Sequence, residues 1–170
     1  TEPLDGWPHD AILSGLVANP GWTAAQLGTR IVENYYTSYG NSQTQSAVNL
    51  GTPYTTLNTA VDTFANALIA WAPYYRTEVT NARNIAQDFY DPHYIDIWDF
   101  ADWVSIYASS SPELNSAATA VENADLAVVI AELSGESWLY AQGTSIYFPK
   151  TAAEYDPRYD GSYGFLQFTA

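Results

Sequence analysis

Five aspartates crowd one short stretch of this sequence: Asp88, Asp91, Asp96, Asp99 and Asp102, with His93 among them. Asp96, Asp99 and Asp102 recur at every third position. On a helix, carboxylates at i and i+3 lie near one another and can share a hard cation such as Ca²⁺, which takes oxygen ligands. These three are the candidate metal ligands. The stretch is not an EF-hand loop, because it lacks the Asp-x-Asp-x-Asp-Gly order and the closing Glu. An acid at position 96 also suits the positive N-terminal end of a helix, a role that needs no metal.

Nucleophilic catalysis has little to work with. The chain has no cysteine, which excludes a thiolate nucleophile, a disulfide and a zinc–sulfur site. Its two histidines are His9 and His93, and no Gly-x-Ser-x-Gly elbow presents a serine to either. Each histidine reads as a cap or surface group. Flat rings at Trp98, Trp103 and Trp138 and in the tail tyrosines suit sugar stacking, although aromatics at helical spacing usually belong to a core.

The elements that must position these residues are mostly helical. Asp5-Gly6-Trp7-Pro8 opens a first helix with Ile12, Leu13, Leu16 and Val17 on one face. Thr23-x-x-Gln26 is a capping box that starts a second, carrying Leu27, Ile31 and Tyr35. Ser46 to Leu50 reads as a short strand. Leu57, Val61, Phe64, Leu68, Trp71 and Tyr75 then step by four and three, which draws one apolar stripe along a long helix. Pro73 inside it predicts a kink or a fresh start. Tyr94 to Ala108 again has helical spacing. Ser111-Pro112 starts a further helix with Leu114, Ala117, Ala118 and Val121 facing inward.

Beyond that point the period changes. Leu126 to Glu132 is β-prone, Ser134-Gly135-Glu136 is a turn, and Trp138 to Ala141 reads as extended. Ser145 to Phe148, between Gly143 and Pro149, is the clearest strand, and together these predict an antiparallel hairpin. Strand alternation puts Ile146 and Phe148 on one face and Ser145 and Tyr147 on the other. The expected fold is α+β and predominantly α: a bundle of five to six helices with a late hairpin, in one domain. Within it, 1–125 is mainly helical, 126–149 is the hairpin, and 150–170 is an aromatic tail lying across the surface.

At 170 residues, 47% of them apolar and 14% charged, the chain is a globular domain able to bury a core without staples. Its net charge of −14 repels phosphates, which argues against nucleic acid and anionic membranes as partners. No apolar run is long enough to span a membrane. Methionine is absent. A start at Thr1-Glu2-Pro3 fits either the remnant left after Met removal or a chain cut from a longer precursor, and few lysines with many tyrosines fit an extracellular or cell-surface location after removal of a signal or pro-segment.

Several segments, in order, resemble one family. Asp5-Gly6-Trp7-Pro8 with Asp10, Thr23-x-x-Gln26-Leu27 with Ile31-Val32, the Ser46 to Leu50 strand before the Leu57 helix, and Tyr94-Ile95-Asp96-Ile97-Trp98-Asp99-Phe100-Ala101 are similar to the part of clostripain-like cysteine peptidases that follows the catalytic cysteine. Gly143-Thr144-Ser145-Ile146-Tyr147-Phe148-Pro149 resembles that family's late Gly-x-Ser-Ile-Tyr-Phe-Pro strand. Those peptidases carry a His-Cys dyad on a caspase-like domain and cleave after basic residues. Neither half of the dyad carries over, since neither His9 nor His93 lies in a matching segment.

The resemblance implies a non-catalytic C-terminal region rather than an enzyme. Its partners would be other protein chains, either a catalytic peptidase domain or, in an alternative role as a structural subunit, copies of itself. A Ca²⁺- or sugar-binding module is a further alternative.

Overall fold

The computed structural model describes residues 6–40 and 43–160. Each helix begins where the local chemistry permits. Thr23 and Gln26 cap α2 (Ala24–Tyr39) reciprocally: Thr23 Oγ1 accepts from the Gln26 N–H at 3.2 Å, and Gln26 Oε1 accepts from the Thr23 N–H at 2.9 Å. Together they satisfy two donors that a helix start leaves unpaired. Ahead of it, α1 (His9–Ala18) packs mainly on α2 and buries no residue fully. Its apolar stripe turns outward, with Leu13 57% and Val17 81% exposed.

The longest element is α3 (Thr52–Ile85). Pro73 removes one backbone donor, and the backbone leaves helical values two residues later at Tyr75 (φ −124°, ψ 24°). This is the expected kink. Leu57, Ala60 and Phe64 before it, and Ala82 after it, are buried. They pack against α4 (Ile97–Tyr107) and α5 (Pro112–Val128), with the Phe64 and Phe100 ring centroids 5.7 Å apart. Leu114, Ala117, Ala118 and Val121 of α5 all face this core.

Ser111 begins α5: its Oγ accepts from the Leu114 N–H at 3.3 Å, and the residue is buried. Ser111→Ala leaves that buried donor unmet. Urea unfolding of this variant is expected to show a loss of about 1 kcal/mol; an unchanged midpoint would mean that the cap contributes nothing.

The molecule is α+β and predominantly α, with antiparallel strand pairs, as the sequence predicts. The strand partners differ from the expected hairpin. β3 (Val129–Ser134) pairs with β1 (Thr44–Val48), and β4 (Ser145–Tyr147) pairs with β2 (Tyr94–Asp96). The β-prone run is divided, because Leu126 to Val128 continues α5, whose apolar stripe ends on the buried Val128. Nor is 138–141 extended. Glu136–Trp138 form a turn of 3₁₀ helix that stacks Trp138 on Phe89 at 5.7 Å, and the chain turns away from β3 there.

β2 itself was expected to be helical. Its short apolar spacing fits both periods, and pairing with β4 decides the matter: Ile95 lies opposite Ile146 and is fully buried. The alternation in β4 holds. Ile146 and Phe148 pack on the helical core, with Phe148 5.2 Å from Phe100. Tyr147 faces the other way and stacks on Tyr159 at 4.0 Å, so the first part of the tail lies across that face. Asp5, at the start of the chain, and Tyr163, Phe165 and Phe168 of the tail lie outside the described residues.

Candidate functional site

The strongest concentration of polar chemistry lies where β2 hands over to α4. Asp96 is the last residue of β2 and the N-cap of α4. Its Oδ1 accepts from the Asp99 N–H at 3.0 Å, and its Oδ2 from the Gln142 N–H at 2.7 Å. One carboxylate thus starts a helix and anchors the segment leading into β4. Asp99, one turn on, points elsewhere: its Oδ2 accepts from the Gln87 N–H at 2.6 Å. That bond ties the end of α3 to α4.

A third acid completes the cluster from α5. Asp125 Oδ1 accepts from the Thr144 hydroxyl, while Oδ2 has no hydrogen-bond partner among the described residues. Asp96 is 0% and Asp125 1% exposed. Burial pushes the Asp96 carboxyl up to about 7; its two N–H partners oppose the rise, and the charges of Asp125 and Asp99 add to it. Burial also pushes Asp125 up to about 6, against the pull of the Thr144 hydroxyl. Asp99 is raised by burial, against the Gln87 N–H, with Asp102 adding repulsion. Carboxyls that protonate near neutrality are the equipment of acid–base chemistry. Sealed to this degree, these groups tie segments together: Asp96 and Asp99 hold backbone N–H groups and Asp125 holds the Thr144 hydroxyl.

The candidate metal ligands are therefore separated in role. Asp96 and Asp99 spend carboxylate oxygens on backbone N–H groups, and Asp102 is only half-buried. Among the described residues no group of three His, Asp or Glu side chains is arranged to hold a metal ion. His93 sits at the surface, where its Nδ1 lies 2.6 Å from Asp91. The backbone N–H of His93, and then its ring, hold the Asp91 carboxyl below the usual carboxylate range. His9 is exposed at the start of α1. The tryptophans have separate neighbours: Trp103 stacks on Tyr107, Trp138 on Phe89, and the buried Trp98 Nε1 is unpaired among the described residues.

Next to the cluster, Arg83 clamps two segments distant in sequence. Its Nε donates to the Phe148 carbonyl at 2.5 Å and its Nη2 to the Pro92 carbonyl at 2.7 Å. Desolvation lowers the guanidinium pKa, with Asp88 and Glu154 opposing the shift. Arg83→Met removes both bonds but also the desolvated charge. The expected result is a loss of about 2 kcal/mol in urea unfolding. Arg83→Lys is expected to recover little, because one ammonium does not reproduce a planar fork. A lysine variant as stable as the parent would refute the clamp.

No family model, curated protein or solved structure matches this chain. Function must be sought in the residues themselves. Two participants escaped the sequence-level reading although a signal for each was present. Asp125 continues the stripe of Leu114, Ala118 and Val121 at helical spacing, and Arg83 sits on the inward stripe between Val79 and Ala86. A charged residue on an apolar stripe marks a buried polar contact. The roles of Gln87, Gln142 and Thr144 had no such signal, since two act through backbone N–H groups and all through partners far along the chain.

Proposed function

We propose that this chain is a non-catalytic, extracellular domain derived from the C-terminal region of a clostripain-like cysteine peptidase, cut from a precursor and built to pack beside a catalytic chain. One observation carries the reading. The two segments most similar to that family, Tyr94 to Ala101 and Gly143 to Pro149, meet residue for residue: Tyr94 is opposite Tyr147, Ile95 opposite Ile146 and Asp96 opposite Ser145. The Ile97 N–H extends the contact to the Thr144 carbonyl at 3.2 Å. Motifs that are each short become one hydrogen-bonded pair of strands, a reason for them to travel together. The lack of cysteine fits a region that leaves the dyad to its partner. Capture of the tagged chain from its native secreted fraction, followed by mass spectrometry, tests this. A co-purifying chain with a His-Cys dyad is expected; no such chain, together with no dyad encoded in the precursor, sinks the proposal.

A second reading, self-assembly into an extracellular structural array, is favoured by a different feature. Among the described residues each sheet has two strands, so unpaired strand edges remain, and Val17, Leu50 and Tyr90 stand exposed on the surface. Open edges and apolar side chains are what strand addition between copies uses. Light scattering and electron microscopy of the pure chain separate the readings: a strict monomer at high concentration removes this one.

A further inference from the structure

Four tyrosine rings gather on the outer face of the β2–β4 pair: Tyr94 on β2, Tyr147 on β4, and Tyr155 and Tyr159 from the segment that follows. Tyr147 is the hub. Its ring meets Tyr94 edge-on at 5.5 Å, lies 6.0 Å from Tyr155, and stacks on Tyr159 at 4.0 Å with 5° between the planes. Its hydroxyl is spent, donating to the Glu154 carbonyl at 3.1 Å and accepting from the Asp156 N–H at 2.8 Å. The hydroxyls of Tyr94 and Tyr159, 65 residues apart in the chain, instead meet each other. Composition gives the cluster a chemical meaning. Cysteine and methionine, whose sulfurs oxidants attack readily, are both absent, while tyrosine occurs 14 times. One-electron oxidation therefore falls on phenol and indole rings.

We propose that Tyr94 and Tyr159 form an oxidative cross-linking site, which a haem peroxidase with hydrogen peroxide converts into an intrachain dityrosine that staples the tail to β2. Each phenol gives one electron and its hydroxyl proton to the oxidant. The two phenoxyl radicals join through their ortho carbons, and each ring then sheds its ortho hydrogen as a proton while its oxygen takes one up. In sum two C–H bonds are replaced by one C–C bond, and one hydrogen peroxide becomes two waters. The geometry selects this pair. A biaryl bond lies in the plane of both rings, so Tyr147 and Tyr159, stacked face to face, are wrongly disposed for it. The Tyr94–Tyr159 contact sets two rings hydroxyl to hydroxyl, and each coupling carbon adjoins the carbon that bears the hydroxyl. The product keeps its two hydroxyls side by side, so the contact present before reaction persists after it. Tyr35 and Tyr39 are also close, at 4.9 Å, but Tyr35 is buried and packed on Trp7. Holding the two phenols together makes the coupling intramolecular. The site stands apart from the peptidase-derived reading.

The test treats the intact chain with a haem peroxidase and an amount of hydrogen peroxide equal to that of the chain. Dityrosine fluorescence is expected in the monomer fraction, together with a mass lower by two hydrogens. The yield per chain is expected to stay constant over an about tenfold range of chain concentration. Peptide mapping is expected to find Tyr94 linked to Tyr159. Tyr159→Phe and Tyr94→Phe are each expected to cut the intrachain yield at least about tenfold. Tyr90→Phe, at a residue 87% exposed, is expected to leave it unchanged. Should one of the two cluster variants melt early, the other makes the same test, and the mapping of the parent chain needs neither. The proposal is overturned if the monomer carries no dityrosine, if its link joins other tyrosines, or if the yield survives in a folded Tyr159→Phe or Tyr94→Phe chain.

Discussion

Unfolding free energy is expected to be highest in mildly acid solution and to fall by on the order of 4 kcal/mol between pH 5 and pH 8. The cause is the pair of buried carboxyls. In the unfolded chain both aspartates titrate near ~3.9, whereas in the fold Asp96 is pushed up to about 7 and Asp125 to about 6. Above pH 5 the unfolded state has therefore released protons that the native state still holds. A rise in pH favours unfolding until each carboxyl ionises in place, so stability is lost as pH climbs through 6 and 7.

The other carboxyls whose proton affinity is shifted either reinforce this sign or are ionised before the window opens. Asp99, Glu122 and Glu132 are raised by burial, and self-repulsion at a net charge of −14 acts in the same direction. Asp91 and Asp156 are lowered by hydrogen bonds to His93 and Arg158. Their contribution is already complete at pH 5, because the unfolded groups have ionised by then. Asp125→Asn keeps the shape and the Thr144 contact while removing one charge beside Asp96. The variant is expected to have a shallower pH slope and greater stability than the parent at pH 8, read by urea titration at stepped pH. A parent that gains stability from pH 5 to 8, or a variant with an undiminished slope, would refute the account.

Gly143→Ala is expected to cost about 3 kcal/mol, and Gly143→Val to prevent folding. Two effects combine at this position. The backbone sits at φ 121°, where a side chain is strained whatever the space around it. A Cβ would also lie 2.9 Å from Val129 Cγ2 and 3.3 Å from Ser46 Cβ. This is where the segment entering β4 crosses against β1 and β3, and the Ser46 hydroxyl donates to the Gly143 carbonyl at 2.5 Å. Adding Val129→Ala to Gly143→Ala is expected to give a less-than-additive loss, since it relieves the steric part and leaves the backbone strain. A Gly143→Ala chain within about 0.5 kcal/mol of the parent would show that the crossing is slack.

The sequence alone determined what depends on neighbours a few residues away. Thr23 and Gln26 announce a helix start because their side chains reach only their own first turn. Pro73 announces a kink because the donor it lacks belongs to its own helix. Ile146 and Phe148 separate from Tyr147 because strand side chains alternate whatever the partner. Strand pairing has no such local origin. Val129 to Ser134 and Ser145 to Tyr147 are near neighbours along the chain, yet each found an earlier segment, because Val128 continued the buried face of α5 and Trp138 packed on Phe89.

The aspartates divide along the same line. Their spacing on a helix was legible, and so was the N-terminal place of Asp96. That the carboxylates accept backbone N–H groups from Gln87 and Gln142, and that Asp125 arrives from α5, was decided only when four segments met. Burial, and with it the proton affinity of these groups, is a property of that meeting and of no stretch of sequence taken by itself.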